Sequence, residues 1–460
     1  MEIEAQDANS EEDAYLLDRK AVAGILYAVD IDDRARLTEL MEPLHAADIA
    51  DLLEQINAYD RARLIRLYDR EFDGEILSEL EDTVREEVIS ILTPAVLAEA
   101  VRELESDDVV DLVEDLEEPQ QEAILDVLED ADRRAVEQAL AYPENSAGRL
   151  MQREVVMAPE HWTVGQAIDY MRDSETLPEQ FYHIVLVDPR LHPLGNVTLG
   201  RVMGARREVL LKDLTEDMFQ IIPVDQDEAD VAYAFNQYHL ISAPVVDNEG
   251  RLIGQITIDD AMIVLDEEHE EDILRLAGVG ESSSLADRVT ETVKGRFPWL
   301  AVNLVTAILA SLVIAQFDIV ISQFVALAVL MPIVASMGGN AGTQSLTVAV
   351  RALATKDLTG ANVWRVIRRE VLVGLANGVA FAVLMGVIGY LWFGSMTLAL
   401  VLGMAMVINL VVAGLAGTVG PGALDKLRVD PALASGAFVT TVTDVVGFFA
   451  FLGFAALFLL

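Results

Sequence analysis

Asp444 stands in the run Ala434-Ser-Gly-Ala-Phe-Val-Thr-Thr-Val-Thr-Asp-Val-Val-Gly-Phe-Phe449 and is the one charged side chain between Pro431 and Leu460. A carboxylate at bilayer depth costs roughly 2.5 to 3.5 kcal/mol even on lenient insertion scales, so such groups face a bundle interior or an aqueous path. Thr440, Thr441 and Thr443 flank it, and Thr440 lies one helical turn before it. Hydroxyls and carboxylates are oxygen ligands, suited to hard cations such as Mg²⁺ and Ca²⁺. Mg²⁺ sheds water reluctantly, so a single carboxylate would hold it through its hydration shell. A second chain lining the same path would bring a second Asp444. The alternative, a buried ion pair, lacks a partner, because the five apolar spans read below contain no Lys, Arg or His.

A second polar cluster lies in Met331-Pro-Ile-Val-Ala-Ser-Met-Gly-Gly-Asn-Ala-Gly-Thr-Gln344. Pro332 removes a backbone donor, and Gly338, Gly339 and Gly342 thin the helix, so carbonyls here are expected to be free to face ions or water. Asn340 and Gln344, four apart, share a helical face. Small residues also serve close helix packing. Packing alone does not call for Asn340, Thr343 and Gln344 at that depth, which favours a pore wall.

These residues must be held by membrane spans. Five are expected, near Phe297 to Phe317, Phe324 to Val350, Val371 to Phe393, Leu398 to Val419 and Leu433 to Leu460, each long enough for a hydrocarbon core of about 30 Å. Arg288, Lys294 and Arg296 precede the first, Arg351, Lys356, Arg365, Arg368 and Arg369 follow the second, and Lys426 and Arg428 follow the fourth. The other two loops carry no Lys or Arg. Positive-inside counting then puts the N-terminus in the cytoplasm and the C-terminus outside.

The charge divides sharply. Of 76 Asp and Glu, 70 lie in the first 300 residues, against 25 of the 32 Lys and Arg. That excess repels nucleic acid and anionic lipid surfaces and selects cations or basic proteins as partners. Cysteine is absent, so disulfides and thiolate sites are excluded. Nucleophile-elbow, phosphate-loop and His-rich metal signatures are also missing, so an enzyme is not expected.

Within the acidic half, residues 1–17 read as a disordered acidic tail and 18–142 as a superhelical all-α domain of short amphipathic helices, with Thr93 and Ser106 as N-caps and Pro94 and Pro119 as helix starts. From Pro143 the periodicity changes and two similar α/β units follow, 143–210 and 211–275. His183-Ile-Val-Leu-Val-Asp188 precedes Pro193-Leu-Gly-Asn-Val-Thr-Leu-Gly-Arg201 in the first, and Ala243-Pro-Val-Val-Asp247 precedes Gly250-Arg-Leu-Ile-Gly-Gln-Ile-Thr-Ile-Asp-Asp260 in the second. This duplication resembles a tandem pair of cystathionine-beta-synthase-like (CBS) modules. The second copy keeps that family's Gly-x-x-Thr-x-x-Asp as Gly254, Thr257 and Asp260, which implies a nucleotide site, ATP included, at Thr257 and Asp260. Arg201 stands at the acid's position in the first copy and departs from the pattern.

Taken with Gly-Gly-Asn-Ala-Gly-Thr-Gln in the second span and Thr-Thr-Val-Thr-Asp-Val-Val-Gly in the fifth, the chain resembles the MgtE magnesium channel family from about residue 20 onward. The resemblance implies a homodimer in the cell inner membrane, with a pore in 297–460 lined by the second and fifth spans and Asp444 as its selectivity carboxylate. It also implies that cytosolic Mg²⁺ bridges acidic faces of the helical domain, the CBS pair and a connecting (plug) helix over 276–296, its core near Glu281 to Gly295, and so closes the pore. Asp260, Glu271, Asp272, Asp227 and Glu99 match family regulatory acids. Ile263, His239 and Gly436 depart from residues found in relatives, which implies a sensor with fewer or weaker ions. Two other readings remain open from the residues: a secondary transporter or exporter of Mg²⁺, Co²⁺ or Mn²⁺ in which Asp444 also carries protons, and a membrane-anchored divalent-cation sensor.

Overall fold

The computed structural model describes residues 17–460 except 115, 117, 129, 175–176, 179, 217, 280–288, 359 and 427–430. The acidic tail expected over 1–17 therefore lies, but for Leu17, outside the described residues. The chain divides into two compact units, Met1–Glu267 and Glu268–Leu460.

The first unit begins with short helices running from Arg19–Asp30 to Asp130–Ala139. Their apolar faces join in one continuous core that includes Ile25, Leu37, Leu52, Leu64, Ile76, Val88 and Leu112. Polar N-caps set where several of these helices start: Asn57 accepts from the Asp60 amide at 3.0 Å, and Thr93 from the Val96 amide at 3.4 Å, with Pro94 as the first helical residue. Ser106 is different. It is itself the first residue of its helix, and its hydroxyl accepts from the Arg153 amide and donates to Glu154, so it ties the helical domain to the next one rather than capping.

Two buried arginines tie successive helices together. Arg61 donates to the carbonyls of Leu53 (2.7 Å) and Ile56 (3.1 Å) and pairs with Glu87. Arg85 donates to Leu80 O at 3.1 Å and to Asp111 at 2.9 Å. Each guanidinium thus satisfies carbonyls left free before its helix and reaches an acid on a later one. Arg61→Ala is expected to destabilise the helical domain by about 2–4 kcal/mol, because carbonyls and a carboxylate lose their shared donor. Chemical unfolding checks this, and a loss below about 1 kcal/mol would show the cluster to be dispensable.

The α/β pair follows. Each module is a three-stranded sheet in sequence order: Met157–Pro159, His183–Val187 and Pro193–Thr198 in the first, and Ile222–Pro223, Ser242–Val246 and Leu252–Thr257 in the second. In both, the first pairing is parallel, the second antiparallel, and the register shifts at equivalent places, Leu186/Val187 and Val245/Val246. The leading strands, three and two residues long, are too short to be read from alternation. The closing helices differ: Leu199–Gly204 has 6 residues, whereas Ile258–Ala277 has 20.

Among the described residues of the second unit, five helices are long and apolar enough to cross a membrane, Thr292–Ala315, Ala326–Ala354, Val363–Phe393, Met396–Leu424 and Gly436–Leu459. The count agrees with the sequence reading, but three details do not. The second helix runs unbroken through Pro332 and the glycines, so its backbone is not opened as expected. The third starts at Val363 rather than Val371, which puts Arg365, Arg368 and Arg369 in its first turns instead of a loop. Of the connecting helix expected over 276–296, residues 276–277 instead close the Ile258–Ala277 helix, 280–288 lie outside the described residues, and Val289 to Gly295 opens the helix that becomes the first span, Val289–Ala315.

Third and fourth helices meet backbone to backbone. A Cβ on Gly374 would sit 2.5 Å from Leu410 O, one on Gly378 2.9 Å from Val407 Cα, and one on Gly414 2.8 Å from Glu370 O. Dispersion and close approach, not water exclusion, hold such a pair in lipid.

Candidate cation path and acidic junction

On the second membrane helix the buried residues, among them Val334, Gly338, Gly342, Ser345 and Leu346, form one stripe, and Asn340, Thr343, Gln344 and Thr347 form another that is exposed. An exposed polar stripe on an apolar helix is a poor match for lipid and a good one for water or a partner helix. Gly339 borders that stripe, and a Cβ there would lie 3.9 Å from Thr440 Cγ2 on the fifth helix. Thr440 and Asp444 are both half-buried, one turn apart, and no described residue pairs with Asp444. The Thr440 hydroxyl donates to Gly436 O (3.0 Å) and the Thr441 hydroxyl to Ala437 O (2.5 Å). Their lone pairs remain available to accept from a hydrated cation.

Two of the expected wall residues sit elsewhere. Thr443 is 0 % exposed and donates to Thr440 O at 3.0 Å, with its methyl toward Gly342. Gly338 is buried because Asn409 of the fourth helix occupies its side; a Cβ there would meet Asn409 Nδ2 at 2.3 Å. Asn409 is 0 % exposed, donates to Val334 O at 2.8 Å, and also abuts Gly447 of the fifth helix, one turn past Asp444. It thereby clamps the two helices that carry the polar residues. The sequence signal was present: an amide inside Met406-Val-Ile-Asn-Leu410 is as anomalous in kind as Asp444. Asn409→Ala is expected to cost about 1 kcal/mol of stability in detergent or bilayer, measured by unfolding, in line with interhelical polar contacts. An unchanged unfolding free energy would sink the clamp.

In the first unit a second set of acids crowds together. Asp260 opens the Ile258–Ala277 helix and accepts from the Thr257 hydroxyl at 2.5 Å. Facing it are Glu105, Asp107 and Asp108 at the start of Ser106–Glu114. Burial pushes the Glu105 carboxyl up to about 7, helped by the charges of Glu154 and Asp260. Asp108 rises to about 7 and Asp260 to about 6, again mainly by burial, then by their neighbours' charge. Asp107, the most enclosed, is raised for the same reasons. The crowding is enforced by polar ties: Gln255 donates to Gln152 Oε1 at 2.7 Å, Gln152 donates to Glu105, and Gln152 and Gln255 exchange backbone bonds at 2.9 Å. Among the described residues no three carboxylates or imidazoles converge closely enough to hold a metal directly. The donors suit a hydrated divalent cation held through water, which would relieve the repulsion.

Sequence profiles agree with this layout. The divalent cation transporter family, MgtE, matches residues 331–454, the MgtE intracellular N domain matches 44–145, and CBS domains match 147–208 and 211–267. The chain is 30% identical over 388 residues to the magnesium transporter MgtE of Bacillus subtilis, covering 84% of this chain and 85% of that one. The chain belongs to the MgtE family. The Enterococcus faecalis and Thermus thermophilus magnesium transporters MgtE are 32% and 33% identical, each over 70% of this chain and 71% and 72% of their own. Among solved structures, the cytosolic domain of the Mg²⁺ channel MgtE in complex with ATP is similar with a TM-score of 0.49 and 28% identity, over 53% of this chain and 99% of that one.

As an MgtE member the chain is a multi-pass membrane protein of a magnesium-transporting family, with its soluble domains N-terminal. The other acids singled out in the sequence are dispersed. Asp227 and Glu99 are exposed, and Glu271 pairs with Arg275 at 2.9 Å, one residue before Asp272. Leu276, the next residue after Arg275, packs against Leu346, Val350 and Val439 of the second and fifth membrane helices. No local sequence pattern marks Glu105, Asp107 and Asp108, which stand out only because they face Asp260. Glu370, also without a motif around it, accepts from Ser345 Oγ at 2.9 Å between the third and second helices.

Asp260 is engaged with Thr257 and the acidic junction. Near the first copy, a hollow of about 230 Å³ is lined by Tyr182, His183, Thr198, Leu199, Gly200 and Ile241, among others. It contains no Lys or Arg, and Arg201 beside it is tied to Leu214 O (3.1 Å) and Thr215 O (2.7 Å). That is smaller than the roughly 300 Å³ at which ligand pockets begin and offers phosphates no cation.

Proposed function

We propose that this MgtE protein is a Mg²⁺-selective channel for magnesium uptake across the cell inner membrane, working as a homodimer and closed by cytosolic Mg²⁺. The observation that carries the reading is Asp444, unpaired on the fifth membrane helix beside Thr440, Gly339 and the exposed stripe Asn340, Thr343 and Gln344. Two copies facing each other through that stripe would enclose a polar path with two carboxylates, enough to neutralise one divalent ion held through its water. The soluble domains would be cytoplasmic and the C-terminus outside.

Gating follows from the acidic junction. Glu105, Asp107, Asp108 and Asp260 repel when ionised; a regulatory Mg²⁺ would supply the missing positive charge and stabilise the docked arrangement. Asp260 lies in the first turn of Ile258–Ala277, and Leu276, near the end of that helix, packs with Leu346, Val350 and Val439. The test is Mg²⁺ flux into liposomes with the internal concentration varied. Flux that falls as internal Mg²⁺ rises supports the reading; flux indifferent to internal Mg²⁺ removes the sensor, and no flux at any concentration removes the channel.

A further inference from the structure

Arg365, Arg368 and Arg369 crowd the first two turns of the third membrane helix, and none makes an ion pair with a described residue. Their isolation is unusual in a chain with 76 acids and 32 bases. The adjacent carboxylate, Glu370, is directed to Ser345 instead. The arginines head a shallow hollow of about 390 Å³ whose floor is Leu372, Val373 and Ala376. This stripe lies about 180° around the helix from Gly374 and Gly378, which meet the fourth helix, so it faces away from the chain's own packing. Trp364, 78 % exposed, sits at the same level, where tryptophans anchor to lipid headgroups.

Unpaired guanidiniums above an apolar floor at the membrane boundary match a phosphate joined to an acyl chain. Guanidinium binds phosphate in a forked geometry, and a chain lying along Leu372, Val373 and Ala376 covers surface that has no protein partner. A free phosphate would use the arginines but leave the floor bare. We propose that this hollow is a binding site for an anionic phospholipid, with its headgroup on Arg365, Arg368 and Arg369 and an acyl chain on Leu372, Val373 and Ala376. The site sits on the face opposite the fourth helix and is separate from the cation path.

Native mass spectrometry of the full chain in detergent, with equimolar dioleoylphosphatidylglycerol and dioleoylphosphatidylcholine, tests it. Wild type is expected to retain the anionic lipid over the neutral one by about tenfold. R365Q/R368Q/R369Q should bring the ratio close to one, the three single variants should each give a few-fold loss, and R296Q, on the first helix, should leave it unchanged. The single variants keep the test decisive if the triple variant does not fold. A large excess of inorganic phosphate should not displace the lipid. The proposal fails if the arginine variants keep the wild-type ratio, if R296Q lowers it equally, or if phosphate displaces the lipid completely. It also fails if the variants lose self-association with an unchanged ratio, which would make this face a contact between copies.

Discussion

Replacing Asp444 by Asn should lower Mg²⁺ flux by about a hundredfold or more while leaving the protein folded and inserted. The two side chains have nearly the same shape, so the change removes charge and little else. A divalent ion about 5 Å from a carboxylate gains roughly 6–7 kcal/mol at an effective dielectric constant of about 20, before the cost of partial desolvation. A hundredfold change in rate needs only about 2.7 kcal/mol, so even a heavily screened interaction suffices. Liposome flux with matched protein incorporation is the measurement. A D444N protein conducting within about threefold of wild type would mean the ion does not pass this residue. If Asp444 instead carried protons in an exchanger, flux in wild type would depend on the pH gradient, and a channel's would not.

Acidification should substitute for Mg²⁺ at the junction of the helical domain and the CBS pair. Glu105, Asp108 and Asp260 have folded-state values above their ordinary ones, at about 7, 7 and 6. The docked state therefore prefers them protonated: its stability is full below about pH 4, and is lost as pH rises through about 6 to 7. For the cluster this amounts to roughly 3 kcal/mol after allowing for solvent screening of the partly exposed groups. In Mg²⁺-free buffer, protection of residues 104–108 and 152–154 against hydrogen exchange, corrected for the intrinsic pH effect, should fall about a hundredfold between pH 5.5 and pH 8. Added Mg²⁺ should restore it at pH 8, and E105Q/D108N/D260N should hold it at both pH values without Mg²⁺. Protection that is pH-independent in wild type would remove the electrostatic basis of the sensor.

These two sites differ in how far sequence alone reveals them. Asp444 is legible because the bilayer makes a lone carboxylate anomalous, and the run of apolar residues around it fixes its depth. Asn340 and Gln344 are legible for the same reason. The membrane spans themselves are marked by length and hydropathy, but their ends are not: Arg365, Arg368 and Arg369 look like a loop by composition, and only the continuous helix places them on its first turns. The glycine-rich segment does not open its backbone: Gly338 makes room for Asn409 and Gly342 for Val439, while Gly339 has no close neighbour among the described residues, and the helix runs whole. The acidic junction is hardly legible at all. Asp107 and Asp108 are ordinary first-turn acids, favourable at a helix N-terminus, until tertiary packing sets Asp260 before them.

The contact between the third and fourth membrane helices bears on what can move during transport. Where backbone meets backbone, as at Gly374 with Leu410 and Gly414 with Glu370, there are no side-chain rotamers to absorb a small slide. Relative displacement would have to come in whole-turn steps of about 5.4 Å or not at all. On the proposed path past Asp444, a disulfide locking the third helix to the fourth should leave Mg²⁺ flux into liposomes untouched, and a flux that falls on locking would show that this pair moves during transport.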